Sequence, residues 1–322
     1  MKMFASAPLS AIVVALTASL AAAQTFPDRP VRLIVPTAAG GAIDLVGRSV
    51  AHELSIIWGK QAIVENRPGA AMAIGASAVA RATPDGYTLL VAHDGVVAMA
   101  PAYSSNLSYD AARDFVPLSV VARLPLAVYV HNSVPVKNIA ELVAYAKANP
   151  GKLNHGSGGP ASLLSFELFK SMAGVNIVNV PFRGAALAVN ELLAGNIQVV
   201  IADVASAAPA IQSPQVRTLA ATTMKRLTMY PQWPTVDESG VKGYETSSWI
   251  GVFAPAKIPA DILRKLEADV IAASKAEGTR KRLGELGMEI EGMTSAEVSQ
   301  LVAADFAKWS KLIREQNIQI AQ

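Results

Sequence analysis

The chain has 322 residues, 52% of them hydrophobic and 16% charged, with a formal net charge of +3 and no cysteine. That balance excludes an extended disordered chain, and the missing cysteines exclude a disulfide framework, a thiol nucleophile and a cysteine metal site. The basic residues Arg264, Lys265, Arg280, Lys281 and Arg282 are mixed with Glu267, Glu277 and Glu285, which reads as solvated helix surface, so nucleic acid is not an expected partner.

Residues 1–23 read as an export signal: Lys2 carries the charge, residues 9–20 the apolar stretch, and Ala21-Ala22-Ala23 the small-residue cleavage site before Gln24. So short an apolar run is a poor membrane anchor, and an exported protein not itself embedded in a membrane is expected. Beyond it, apolar patterning predicts strand 31–36, helix 43–57, strand 63–65, helix 74–81 and, after a Pro84-Asp85-Gly86 turn, strand 87–92. Strands alternating with helices imply a parallel sheet covered on both faces. Residues 114–130 then form a long β-branched stretch that reads as a strand passing between two domains.

A second cycle follows, with helix 139–148 ended by Asn149-Pro150-Gly151, strand 153–155, helix 161–172, strand 177–180, helix 185–194, strand 197–202 and strand 216–221. Residues 246–254 offer a second crossing, and helices 260–276 and 295–315 flank a short strand at 288–290. The expected organisation is α/β in two domains, residues 24–125 with 249–322 and residues 126–248. Each would be a mainly parallel sheet flanked by helices, with a cleft between them.

One device recurs along this plan: an apolar strand runs into a glycine-rich, charge-poor turn that opens a helix. It occurs at Ala38-Ala39-Gly40-Gly41, from Arg67-Pro68-Gly69 on to Gly75, and at Gly156-Ser157-Gly158-Gly159. Such turns can present free N–H groups at the positive end of a helix dipole, a seat for a carboxylate. Asp44, near a helix start, and Asp203, at a strand's carboxyl end, can serve either a ligand or a helix cap.

Other chemistries fit less well. Gly156 to Ala161 contains G-x-G-x-x-A, but Val178-Asn179-Val180 stands where a ribose-binding acid is required, so no cofactor is expected. The four histidines, His52, His93, His131 and His155, fall at no metal-ligand spacing, and no metal is expected. An exported hydrolase using Ser157 with His155 or His93 is the rival reading, and a ligand-sensing interaction protein without a transport role is a third.

In order along the chain, Pro36 to Asp44, Asn66-Arg67-Pro68-Gly69-Ala70, Pro84-Asp85-Gly86-Tyr87-Thr88-Leu89-Leu90, Asp114-Phe115-Val116-Pro117, Ala148-Asn149-Pro150-Gly151-Lys152-Leu153, Val180-Pro181-Phe182-Arg183-Gly184 and Trp233-Pro234-Thr235-Val236 resemble the Bug-type solute-binding proteins. These are the extracytoplasmic receptors of tripartite tricarboxylate transporters. The resemblance implies a periplasmic, two-domain binding-protein fold of type II-like form, closing like a hinged trap on a small organic carboxylate and delivering it to membrane transporter subunits. It implies ligand contacts from Thr37, Ala38, Ala39, Gly40, Gly41 and Asp44 and from Ala70, Ala71, Met72 and Ala73 on to Gly75, and His93 is a further candidate ligand contact. Across the cleft it implies Ser157, Gly158, Ser162, Arg183 and Asp203. Thr37, Leu163, Met99-Ala100 and Leu187 depart from the usual pattern and make the implied lining less polar, which favours an aromatic or monocarboxylic acid beside the dicarboxylates.

Overall fold

The computed structural model describes residues 26–320, so the export signal expected at residues 1–23 lies outside the described residues. Its strands are β1 (Val31–Val35), β2 (Ala62–Asn66), β3 (Thr88–His93), β4 (Phe115–His131), β5 (Asn154–Ser157), β6 (Val178–Pro181), β7 (Val199–Asp203), β8 (Val216–Ala221), β9 (Ser247–Pro255) and β10 (Glu289–Ile290). Its helices are α1 (Ala42–Trp58), α2 (Ala73–Ala80), α3 (Ala100–Tyr103), α4 (Ala111–Asp114), α5 (Ile139–Ala148), α6 (Pro160–Ala173), α7 (Ala185–Leu193), α8 (Ala208–Ile211), α9 (Ala260–Lys275), α10 (Glu277–Gly284) and α11 (Ser295–Gln316).

Helix α1 shows how sequence becomes element. Ile43, Val46, Val50 and Leu54 repeat at helical spacing and bury against Val31, Leu33 and Val35 of β1 and Val91 of β3. The helix stops at Gly59, whose φ of 60° is a left-handed conformation that glycine adopts without strain. Burying each such side chain stabilises by roughly 1.5–3 kcal/mol, so this face fixes α1 on the sheet.

The sheet follows the order β2-β1-β3-β9-β4-β7-β5-β6, with β8 and β10 also paired to β4. Strands β1, β2 and β3 are mutually parallel, as are β5, β6 and β7. The parallel expectation therefore holds within each group, whereas β9 runs antiparallel to β3 and to β4, and β7, β8 and β10 run antiparallel to β4. Strand β4 changes partner in mid-course: Phe115 to Pro125 pair with β9, and from Leu126 onward it pairs with β7 on one edge and β8 on the other. Two sheets thus share one 17-residue strand.

Each sheet is buried on both faces. Helices α1 and α9 cover one face of the first sheet, and α2 with α11 the other. In the second sheet, α5 and α6 cover one face and α7 the other. Between β3 and β4, where no element was expected, the chain makes a wide helical turn over Gly95–Met99, then α3 and α4. Asp94 accepts from Gly95 N and Asp110 from Ala112 N and Arg113 N, so these short pieces begin on acidic caps rather than on apolar periodicity.

Candidate ligand-binding site

Strand directions decide where the glycine turns go. Strand β4 runs with β1–β3, whereas β5–β7 run against it, so the carboxyl ends of the two groups approach from opposite sides. Along β4 the approach has a measure: His93 lies opposite Ile250, Ile250 lies opposite Ala122, and Asp203 lies opposite Leu126. Four residues of extended strand separate the two levels, about 13 Å.

At the end of β1, Ala38, Ala39, Gly40 and Gly41 are exposed, while Thr37 is half-buried. A network behind them holds their shape. Asp44 is buried; its Oδ2 accepts from Gly40 N and Arg48 Nε, both at 2.9 Å, and its Oδ1 accepts from Asn66 Nδ2 at 2.9 Å. Asn66 Nδ2 also donates to Thr37 O at 3.1 Å, which ties the end of β2 to the turn after β1. Burial alone would raise the Asp44 carboxyl, but the hydrogen bonds from Arg48, Gly40 and Asn66, with the Arg48 charge, outweigh it and hold the carboxyl below its ordinary range. Both Asp44 oxygens are therefore engaged within the protein, and its part is to shape the turn. The N–H groups of Ala38, Ala39 and Gly41 have no acceptor among the described residues.

The turn after β2 is strained. Ala70, Ala71 and Met72 have φ of 45°, 48° and 75°, three successive left-handed residues that are not glycine. Each costs on the order of 1–2 kcal/mol, sustained by the surrounding structure. Part of that support is Gly75: a β-carbon there would stand 2.8 Å from both Cα and Cβ of Pro36 and 2.9 Å from Arg67 O. Only glycine lets the start of α2 approach Pro36, at the end of β1, and the Arg67 carbonyl so closely. The N–H groups of Ala70 and Ala71 have no acceptor among the described residues. His93 closes β3, half-buried, with Nδ1 accepting from Gly95 N at 2.6 Å.

In the second sheet, the turn after β5 presses on the turn after β6. Phe182 N donates to Ser157 O at 2.7 Å, and Gly184 has a φ of 122°. The starts of α6 and α7 thereby stand side by side, at the seam between Gly158 and the Gly184-Ala185 backbone. Ser162 is buried, its Oγ donating to Ile201 O, so it fastens α6 to β7. Asp203 Oδ1 accepts from Ser206 N at 2.8 Å, which is the capping role. Arg183 is exposed and has no ion pair or hydrogen bond among the described residues.

His155 and Ser157 do not form a nucleophile and base. His155 is fully buried and stacked on Phe166 with ring centroids 3.6 Å apart; its Nε2 accepts from Ile201 N at 3.2 Å, and Nδ1 faces Asn179 Oδ1 at 3.1 Å. Burial pushes the imidazole down to about 3, against the opposing hydrogen bond to Asn179. The sequence marked Gly75 as part of a glycine-rich turn and Asn66 and Gly184 as parts of recurring motifs, but not the contacts they make. The available signal was a polar amide closing an apolar strand at Asn66, and glycines at helix starts elsewhere.

Comparison with known proteins identifies the family and the fold. The model of the tripartite tricarboxylate transporter family receptor matches residues 46–318. A protein of Pseudomonas sp. (strain P51), from the tcbD-tcbE intergenic region, is 34% identical over 320 residues, covering 98% of this chain and 95% of its own. The Rhodopseudomonas palustris protein Rpa4515, solved with adipate, is 36% identical with a TM-score of 0.78, covering 90% of this chain and 97% of its own. MatC from the same organism, with bound malate, is 30% identical with a TM-score of 0.75, covering 89% of this chain and 100% of its own. The architecture is accordingly the two-domain fold of these periplasmic binding proteins. Given that agreement in length, fold and sequence, the chain belongs to the receptor family of the tripartite tricarboxylate transporters.

Proposed function

We propose that the protein is an extracytoplasmic receptor that captures a small organic acid between two lobes and delivers it to the membrane subunits of a tripartite transporter. The observation that carries the reading is the convergence of the four turns after β1, β2, β5 and β6, three of them with unpaired N–H groups or a free guanidinium. The bound adipate and malate of the two structural relatives give the chemical class, a carboxylate. An aromatic, mono- or dicarboxylic acid would place one carboxylate on the N–H groups of Ala38 to Gly41 and Ala70-Ala71, with Arg183 facing the other end.

The lobes are residues 24–125 with 249–322 and residues 126–248. Supporting this division, β4 changes partner between Pro125 and Leu126, and β9 begins at Ser247. Closure about those two crossings would bury the acid and shift the open–closed equilibrium. No helix among the described residues is long and apolar enough to cross a membrane, in keeping with a receptor that works at a membrane partner in the periplasm.

Titration calorimetry of protein unfolded and refolded to strip bound ligand, against adipate, malate, benzoate and nicotinate, tests the reading. Saturable one-to-one binding of at least one acid, absent for the corresponding amides, is expected. Equal binding of acid and amide, or turnover of an ester, would sink it.

A further inference from the structure

Helix α11 does more than complete the first lobe. It packs against the shared strand β4, against the Gly95–Met99 turn and α3 of the first lobe, and also against α6 of the second. At that junction Met99, Leu164, Trp309 and Leu312 form one buried cluster, none more than 5% exposed. Polar ties follow the same line: Trp249 Nε1 donates to Asp305 Oδ2 at 2.8 Å, Lys308 Nζ to Glu245 O at 2.6 Å, and Gln316 Nε2 to Ser171 Oγ at 3.3 Å. The helix therefore touches the start of a crossing strand and the flank of the helix that follows the Ser157 turn.

We propose that α11 is a third connection between the lobes and the fulcrum of their movement, with the axis near the cluster that holds Leu164 and Trp309. The inference rests on the closure reading above. Separating the lobes at this point would expose four apolar side chains at once, whereas rotating about it keeps them covered. Displacement then grows with distance from α11. It is smallest at the α6–α11 contact and largest at the outer edge of the second sheet, where β6 lies three strands from β4 and leads into Arg183 and α7. The Arg183 turn becomes the lip that sweeps, and α6 the part that stays.

The chain has no cysteine, so introduced pairs are unique labelling sites. Met172→Cys with Arg314→Cys reports across α6 and α11; Ile74→Cys with Leu187→Cys reports across the mouth, and all four positions are exposed. Spin-label distances are measured in the full chain, ligand-free and with millimolar adipate. The expected result in ligand-free protein is an α6–α11 distribution less than half as wide as the mouth distribution. Where adipate binds by calorimetry, only the mouth pair shortens. An α6–α11 pair as broad as the mouth, or shifting as much with adipate, overturns the fulcrum while leaving closure standing. A mouth as narrow as the α6–α11 pair and unmoved by bound adipate overturns closure itself. Leu312→Ala, milder than removal of Trp309, should at least double the α6–α11 width; an unchanged width counts against the proposal.

Discussion

Gly158 lies against Ala185 so closely that a β-carbon on Gly158 would stand 2.4 Å from both N and Cα of Ala185 and 2.7 Å from Gly184 C. The obstructing atoms are backbone, which cannot turn aside. Gly158→Ala must therefore push the start of α6 away from that of α7, and a loss of roughly 1–3 kcal/mol in denaturant unfolding is expected, with weaker acid binding. Gly41 is the control, since its nearest atom, Ala38 O, is 4.0 Å from an added β-carbon. Gly41→Ala should unfold within about 0.5 kcal/mol of the parent yet, on the proposed site, bind acid less well, because the methyl is added to an exposed turn whose N–H groups would hold the carboxylate. Unchanged affinity in Gly41→Ala would remove that turn from the site.

Asn66 serves two acceptors at once, Thr37 O and Asp44 Oδ1. Asn66→Ala leaves both without this donor, and the expected loss of stability is about 1–3 kcal/mol, with acid affinity reduced at least tenfold as the turn loosens. Calorimetry on the folded variant decides it; full affinity would show that the turn keeps its shape without the amide.

Arg183 has no partner among the described residues, so its removal should leave folding alone. Arg183→Gln is expected within about 0.5 kcal/mol of the parent in urea unfolding. Dicarboxylate binding should weaken by about 1.5–3 kcal/mol, and a monocarboxylate seated on the first lobe much less. Equal loss for both acids would place Arg183 at the common carboxylate instead.

The stability of the second lobe should depend on pH through His155. Burial holds its folded-state pKa at about 3 against an ordinary 6.5. As pH falls below 6.5 the unfolded chain takes the proton first, so stability declines from there toward pH 3, by at most about 1.4 kcal/mol per pH unit. Below its ordinary value of 3.8, Asp44 adds to the decline, since its folded pKa is lowered and its contribution is lost as that value is crossed. Urea midpoints between pH 7.5 and 4.5 measure the first effect. His155→Gln should be less stable throughout but show a flatter slope; a slope equal to the parent's would contradict the buried neutral imidazole.

Much of this molecule is determined by local sequence. Strands β4 and β9, helices α1 and α11, and the strand–turn–helix units were legible because apolar periodicity and glycine or proline punctuation act over a few residues. The turn residues Ala38 to Gly41 and Ala70 to Ala73 stood out as candidate anion seats for the same reason. Their chemistry is main-chain chemistry, set by glycine and by helix starts.

Only the tertiary structure decided which polar side chains face the cleft. Asp44 and Ser162 have the composition of ligand contacts, yet Arg48, Asn66, Gly40 and Ile201 occupy them, and those partners lie up to 39 residues away. It likewise decided that Gly75 and Gly158 are sites of backbone contact, and that α11 reaches α6 across the lobes. Such facts depend on which atoms strand order and register bring together. A buried polar group takes whatever partner that packing supplies, and no window of sequence contains it.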